Sequence, residues 1–316
     1  MKVLKSVKCF NERLIDYAGL FPPASLDLQA SYSNYIKYTQ SEYSWMLSRF
    51  ICPVKLLPEL DTISAQNSSK KFSVSVITTA AKLESDFKNN FINDFNICNS
   101  FIKKNNNIKI DMIETKLPDT DKTSYSDCVS FAVGSLERNF SDPAFIFFEG
   151  NSEESWKENS KALIDSISAI NETNLTSGFK LRTGGTSAAA FPEPEQIAFC
   201  IRECLDRQVP MKFTAGLHHP FRHYDLNVKS MMHGFVNVFG AGIIAMTHNI
   251  SNDVLIEIIN DEEPGNFIFT ENYFSWKDWK VETQDIVYAR ENLVTSYGSC
   301  SFDEPVEDLQ TLHLLK

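Results

Sequence analysis

Two lysines stand in similar frames in the second half of the chain, Phe179-Lys-Leu-Arg-Thr-Gly-Gly185 and, one helix later, Met211-Lys-Phe-Thr-Ala-Gly216. Side chains alternate between the two faces of a strand, so Lys180 and Arg182 share one face, as do Lys212 and Thr214. The apolar Leu181 and Phe213 take the other face. Like charges and partial loss of water lower the pKa of a lysine, and a partly neutral amine is what Schiff-base chemistry needs. A plainer reading pairs these lysines with inward Glu149, Glu114 or Asp111, either to hold the fold or to bind an anion without reacting. The turn Thr183-Gly184-Gly185 lies past one strand and ahead of a helix, where exposed backbone N–H groups can hold a phosphate or carboxylate.

Histidines form the second constellation. His218, His219, His223 and His233 follow closely on the second lysine strand. Imidazole joined to carboxylate suits Zn, Mn or Fe, so Glu114, Glu149, His218 and His219 make an alternative metal set, although their spacing matches no defined motif. Otherwise His218 and His219 are substrate contacts or loop supports. Cys200 and Cys204 lie one helical turn apart and read as packing residues.

Elements that could position these groups alternate along the whole chain. Candidate strands run Leu14 to Leu20, Met46 to Cys52, Phe72 to Thr79, Ile108 to Glu114, Ala144 to Glu149, Gly178 to Thr183, Met211 to Gly216 and Phe267 to Phe274. Between them lie amphipathic stretches. In Ser155 to Ile170, Trp156, Leu163, Ile167 and Ile170 make one stripe behind an N-cap at Ser155, and Glu193 to Leu205 opens with Pro194 in an acidic first turn. Met231 to Ala245 reads as a helix apolar almost all round, packed within a shell or across a subunit interface. No Gly-x-Gly-x-x-Gly follows the first strand, and Arg49, Asp111, Glu114, Glu149, Lys180, Arg182 and Lys212 sit at or near strand C-terminal ends. Both features favour a closed (β/α)8 barrel over an open sheet, because charges there line a barrel mouth. The expectation is one barrel domain over residues 1–316, ending in a helix after Glu282 and an extended tail from Tyr297 to Pro305.

Composition narrows the function classes. The 316 residues are 43% hydrophobic, enough for a full core, and a net charge of −11 repels nucleic acid and anionic membranes. Seven scattered cysteines suit a reducing cytoplasm better than a disulfide framework, and no apolar run approaches a membrane span. A soluble cytoplasmic protein acting on a small polar or anionic metabolite is expected, with a homo-oligomer possible.

Three fragments resemble the deoxyribose-phosphate aldolase branch of class I aldolases, which are (β/α)8 barrels. Leu14-Ile-Asp-Tyr-Ala-Gly-Leu-Phe-Pro-Pro-Ala24 is similar to that family's opening strand, Ile110-Asp-Met-Ile113 to its fourth, and Lys180-x-x-Thr-Gly184 with Lys212-Phe-Thr-Ala-Gly216 to its paired lysine strands. The resemblance implies Lys180 as Schiff-base amine, Lys212 as the neighbour that depresses its pKa, and Asp111 as a proton carrier, with Glu149 as the other candidate. Asp16, Arg49, Arg182, Thr183, Gly184, Gly185, Thr214, His218 and His219 are then the candidate substrate contacts. Departures from the family pattern are Arg182 in place of a small hydroxyl residue, Leu217-His-His-Pro-Phe-Arg222 in place of a glycine-rich turn, and a last strand with Thr270-Glu-Asn-Tyr273 in place of a phosphate-holding Gly-Ser turn. The favoured reading is an aldolase-type lyase needing no cofactor. Its rivals are a hydrolase or isomerase using a divalent metal, and a non-catalytic anion-binding barrel.

Overall fold

Short runs of branched and aromatic residues, each followed by an amphipathic helix, can bury both faces of a strand only in a parallel sheet covered by helices. The computed structural model describes residues 3–65, 71–118, 124–140, 144–150, 155–173 and 176–316. Seven strands of its barrel come in sequence: β1 (Ile15–Tyr17), β2 (Leu47–Pro53), β3 (Phe72–Ile77), β4 (Ile108–Lys116), β5 (Phe145–Glu149), β6 (Ser177–Arg182) and β7 (Met211–Thr214). Helices α1 (Lys5–Asn11), α2 (Leu28–Tyr38), α3 (Leu57–Ala65), α4 (Glu84–Lys104), α5 (Tyr125–Asn139), α6 (Trp156–Asn171) and α7 (Pro194–Asp206) precede or connect them. In α4 the buried Phe87, Phe91, Phe95, Cys98 and Phe101 recur at helical spacing, with Glu84 and Asp86 in the first turn and Lys103 and Lys104 in the last, as the helix dipole favours.

The rest of the chain closes the barrel. A hairpin of β8 (His223–Asp225) and β9 (Ser230–Met232) leads to α8 (Phe235–Thr247) and α9 (Asn252–Asn260). A small antiparallel sheet of β10 (Phe267–Phe269), β11 (Tyr273–Trp276) and β12 (Trp279–Glu282) follows, then α10 (Thr283–Asn292), β13 (Val294–Ser299) and α11 (Asp303–Thr311). The barrel order is β1-β13-β7-β6-β5-β4-β3-β2, with β2 returning to β1, and all pairs are parallel. The (β/α)8 barrel expected from the sequence is therefore present.

Its eighth strand is not the expected one. Phe267 to Phe274 belongs to the side sheet, where Phe267 and Phe269 are buried and Ile268 is 46% exposed, the alternation of a sheet with one wet face. The eighth position falls to Val294–Ser299, read from the sequence as a final helix's end and tail. Two local expectations also change. Ser155 is left-handed (φ 59°) and makes no capping bond, and Met231 and Met232 belong to β9, so the apolar helix starts at Phe235. Its side chains are buried within the chain itself from Phe235 to Ala245.

Between barrel and helices lies an aromatic layer. Tyr17 and Phe50 point outward and pack on Tyr32, Tyr35 and Tyr38 of α2, and Phe213 packs edge-on against Phe239 of α8. The alternate positions, Asp16, Arg49, Lys212 and their counterparts on the other strands, are thereby turned toward the lumen.

Candidate active site

Polar residues turned into a barrel too narrow for bulk water must satisfy one another, and here they do so in one unbroken series. From the C-terminal mouth, Arg182 Nη2 lies 3.0 Å from Glu149 Oε1, and Glu149 Oε2 lies 2.9 Å from Lys180 Nζ. Lys180 Nζ is 2.7 Å from Glu114 Oε2, whose other oxygen is 3.2 Å from Lys212 Nζ. Lys212 next meets Asp16, Asp16 stands 3.7 Å from Arg49, and Arg49 Nε donates to Asp111 at 2.6 Å. Four cations alternate with four carboxylates, so the series is neutral as a whole. Hydroxyls fill the gaps: Ser75 Oγ donates to Glu114 at 2.6 Å and Ser296 Oγ to Asp16 at 2.7 Å.

Lys180, Lys212 and Glu149 face the lumen on adjacent strands, with Lys180 in register with both Glu149 and Lys212. The two lysines are thus joined through Glu114. The expected depression of the Lys180 pKa is contradicted. Burial does disfavour its charge, but the Glu114 and Glu149 carboxylates outweigh burial and raise the lysine above its usual range. Burial likewise works against charge on Glu149, yet Lys180 and Arg182 bring its pKa down to about 2. Glu114 and Asp16 are held below the usual carboxylate range against their burial, by Lys180 and Lys212 in one case and by Lys212 and Arg49 in the other. Lys180 therefore rests as an ammonium with two ionised carboxylates in contact.

Other expected residues divide by position. Arg49 and Asp111 lie toward the N-terminal end of the lumen. Asp111 falls where the register between β3 and β4 shifts, so its carboxylate turns to Arg49, and Lys180 is in contact with the glutamates instead. Thr183 is fully buried, donating its hydroxyl to the Ala215 carbonyl at 2.6 Å and its N–H to the Thr214 carbonyl at 2.9 Å, so that part of the expected anion-holding turn is already occupied. Gly184 is there for close approach, because a Cβ would stand 2.7 Å from Gly216 Cα. At Gly185 a Cβ would stand 2.7 Å from that of Ala190. Thr214, partly exposed, sits beside Arg182 and Gly298 in the strand register. The true last strand is β13, which ends in Gly298-Ser299, so Thr270 to Tyr273 lies outside the barrel and its comparison with the family's last strand does not apply.

The four alternative metal ligands fall into two clusters and do not converge. Glu114 and Glu149 are engaged by lysine, whereas His218 Nδ1 lies 2.9 Å from Glu304 and His219 Nδ1 lies 2.6 Å from Asp308, both on α11. Among the described residues, no group of three or more His, Cys, Asp or Glu side chains is arranged to hold a metal ion. The histidines instead clasp α11 to the loop after β7. Hydrogen bonding from His218 holds the Glu304 carboxyl below its usual range. A depressed carboxyl stabilises the fold above its unfolded pKa, near 4.3, and that contribution disappears as pH falls through the lower folded value. Glu304→Gln should therefore lower stability at pH 7, where the contribution is fully present, change little at pH 3, and so flatten the loss of stability on acidification, as measured by urea unfolding across pH 3–7.

Two participants escaped sequence reasoning. Ser75 and Ser296 occupy inward positions of β3 and β13, and only the period-two frame of correctly placed strands reveals them. Glu114 was named as an alternative metal ligand and as a possible lysine partner, and it is the second of these that the ion pairs with Lys180 and Lys212 bear out.

No family model matches the chain, and no curated protein matches it in sequence. Among solved structures it is similar to the deoxyribose phosphate aldolase from Aeropyrum pernix, a tetrameric structure, over 98% of this chain and 94% of that one, with a TM-score of 0.52 and 9% identity. A monomeric dihydrodipicolinate synthase variant matches more loosely, over 66% of this chain and 64% of its own, at a TM-score of 0.37 and 11% identity. The class defined by fold and topology is the (β/α)8 barrel. Within that class, the Aeropyrum pernix aldolase shares its barrel along nearly the full length of both chains, and the likeness is one of fold. Among the described residues no helix is long and apolar enough to cross a membrane.

Proposed function

We propose that this protein is a class I aldolase-type lyase, in which Lys180 forms a Schiff base with a small anionic carbonyl metabolite. The observation that supports it most is the contact of Lys180 with Glu149, because Glu149 also holds Arg182, whose side chain is 44% exposed at the mouth. An anionic group on the substrate competes for Arg182 and frees Glu149 to accept the lysine proton. The Lys180 lone pair then attacks the carbonyl carbon, and the carbinolamine loses water using the proton held by Glu149. In the resulting iminium, Glu149, ionised again, takes the proton of the hydroxyl on the second carbon from the nitrogen-bearing carbon; that carbon leaves as a carbonyl compound, and the electron pair of the broken carbon–carbon bond enters an enamine. Glu149 then protonates the enamine carbon, and hydrolysis of the iminium releases the second carbonyl product and restores the amine. Lys212 keeps Glu114 ionised beside the reacting nitrogen, and Thr214 borders the substrate space.

Borohydride trapping tests the reading. Incubation with small aldehydes or ketones plus borohydride should give one covalent adduct, mapped by mass spectrometry to Lys180 and absent in both Lys180→Met and Lys180→Arg. The arginine variant keeps the positive charge between the glutamates, so loss of the adduct there reports the missing amine. Adduct confined to surface lysines across the carbonyl panel overturns the proposal and leaves the buried charges as a structural or anion-binding core.

A further inference from the structure

The barrel also opens at its other end. A cavity of about 410 Å³ lies at the N-terminal face, reached between the first residues of the strands and α10, with Arg49 and Ser296 at its inner wall. Met112, Phe147 and Val287 give it apolar sides. Its volume falls in the range of small-molecule sites, and an apolar body with a few convergent polar groups is their usual make-up.

Charge decides which ligand suits it. Arg290, on α10, is buried and donates to the backbone carbonyls of Phe10, Glu12, Val294 and Thr295. Among the described residues it makes no ion pair with a carboxylate, and neither does Arg13 at the rim. Burial brings the Arg290 pKa down to about 9, which leaves it charged at neutral pH. The carboxylates that share the lining, Glu12 and Glu291, are exposed, as is Arg13, so water and salt screen all three, while the buried Arg290 keeps its field. An anion entering the cavity meets Arg290 in a drier medium than the rim carboxylates occupy.

We propose that the N-terminal cavity is a second ligand site, separate from the lysine site at the mouth, which binds a small molecule with an anionic head and an apolar body. The head lies toward Arg290 and Arg13, since the charge of Arg49 is already met by Asp16 and Asp111, and the body lies against Met112, Phe147 and Val287. This site does not depend on the Schiff-base reading.

Phenyl phosphate and benzoate serve as probes, with benzyl alcohol as the neutral control and the full chain labelled at its methionine methyl groups for NMR. The Met112 resonance, assigned by its loss in Met112→Leu, should shift and saturate with a Kd of about 1 mM for a ligand of this size, while those of Met231, Met232 and Met246 stay in place. Arg13→Gln should weaken either anion about fivefold, and Val287→Trp, which fills the cavity from its partly exposed wall, should abolish the shift. The lysine site is untouched by both substitutions, so borohydride trapping should be unchanged. No Met112 shift with either anion, an equal shift with benzyl alcohol, or binding indifferent to both substitutions overturns the proposal.

Discussion

Glu114→Ala should destabilise the protein by about 3 kcal/mol, the lower end of the cost of breaking a buried ion pair, because Lys180 and Lys212 each keep one other carboxylate. The glutamate is 1% exposed and binds both lysines, so its removal leaves a neutral series with one surplus positive charge in the lumen. Ser75 loses its acceptor as well. Urea unfolding at pH 7 measures the loss. Glu114→Gln/Lys212→Met removes one charge of each sign, and the double variant should be more stable than the sum of the two single effects predicts. A coupling near zero in that cycle would mean that the two groups do not feel each other, contrary to their 3.2 Å separation.

Glu149→Gln should make Lys180 easier to trap and the enzyme worse at turnover. Removing a carboxylate from the ammonium withdraws the interaction that favours its charged form, so the lysine pKa falls. Arg182, released from Glu149, adds a like charge nearby and acts in the same direction. The pH at which half the amine is trapped by borohydride should move down by about 1–3 pH units. Carbon–carbon cleavage should nevertheless fall about 100-fold or more, since the group proposed to carry protons has gone. This split separates a proton carrier from a merely structural partner. If trapping is unaltered by Glu149→Gln, the glutamate does not set the acidity of Lys180.

The sequence frames around Lys180 and Lys212 reveal which face each side chain takes, because alternation is local and the apolar Leu181 and Phe213 mark the helix side. What they conceal is the partner. Asp16 and Lys212 are 196 residues apart and meet only because the barrel closes. Reading the lysines against their nearest like charges therefore inverted the direction of the Lys180 pKa, which depends on carboxylates from two other strands. The eighth strand was hidden for a related reason. Its inward positions are Ser296 and Gly298, small because they crowd Asp16 on the neighbouring strand and Ile51 of β2, so the segment lacks the apolar run that marks a strand. Phe267 to Phe274 had that run but spends it on a side sheet. Cys200 and Cys204 were legible as core residues of α7, since one helical turn between two small apolar side chains needs no long-range information.

The strand that closes the barrel follows every other strand in sequence and joins β1 to β7. On the ribosome, then, seven strands emerge with two unsatisfied sheet edges and wait through a hairpin, a three-stranded sheet and three helices before the last strand arrives to cover both. Until that moment Asp16 lacks the hydroxyl of Ser296, and β1 and β7 are open templates for pairing with another nascent chain. Such a topology places the period of greatest exposure of sheet edges, and with it the greatest aggregation hazard, at the end of synthesis.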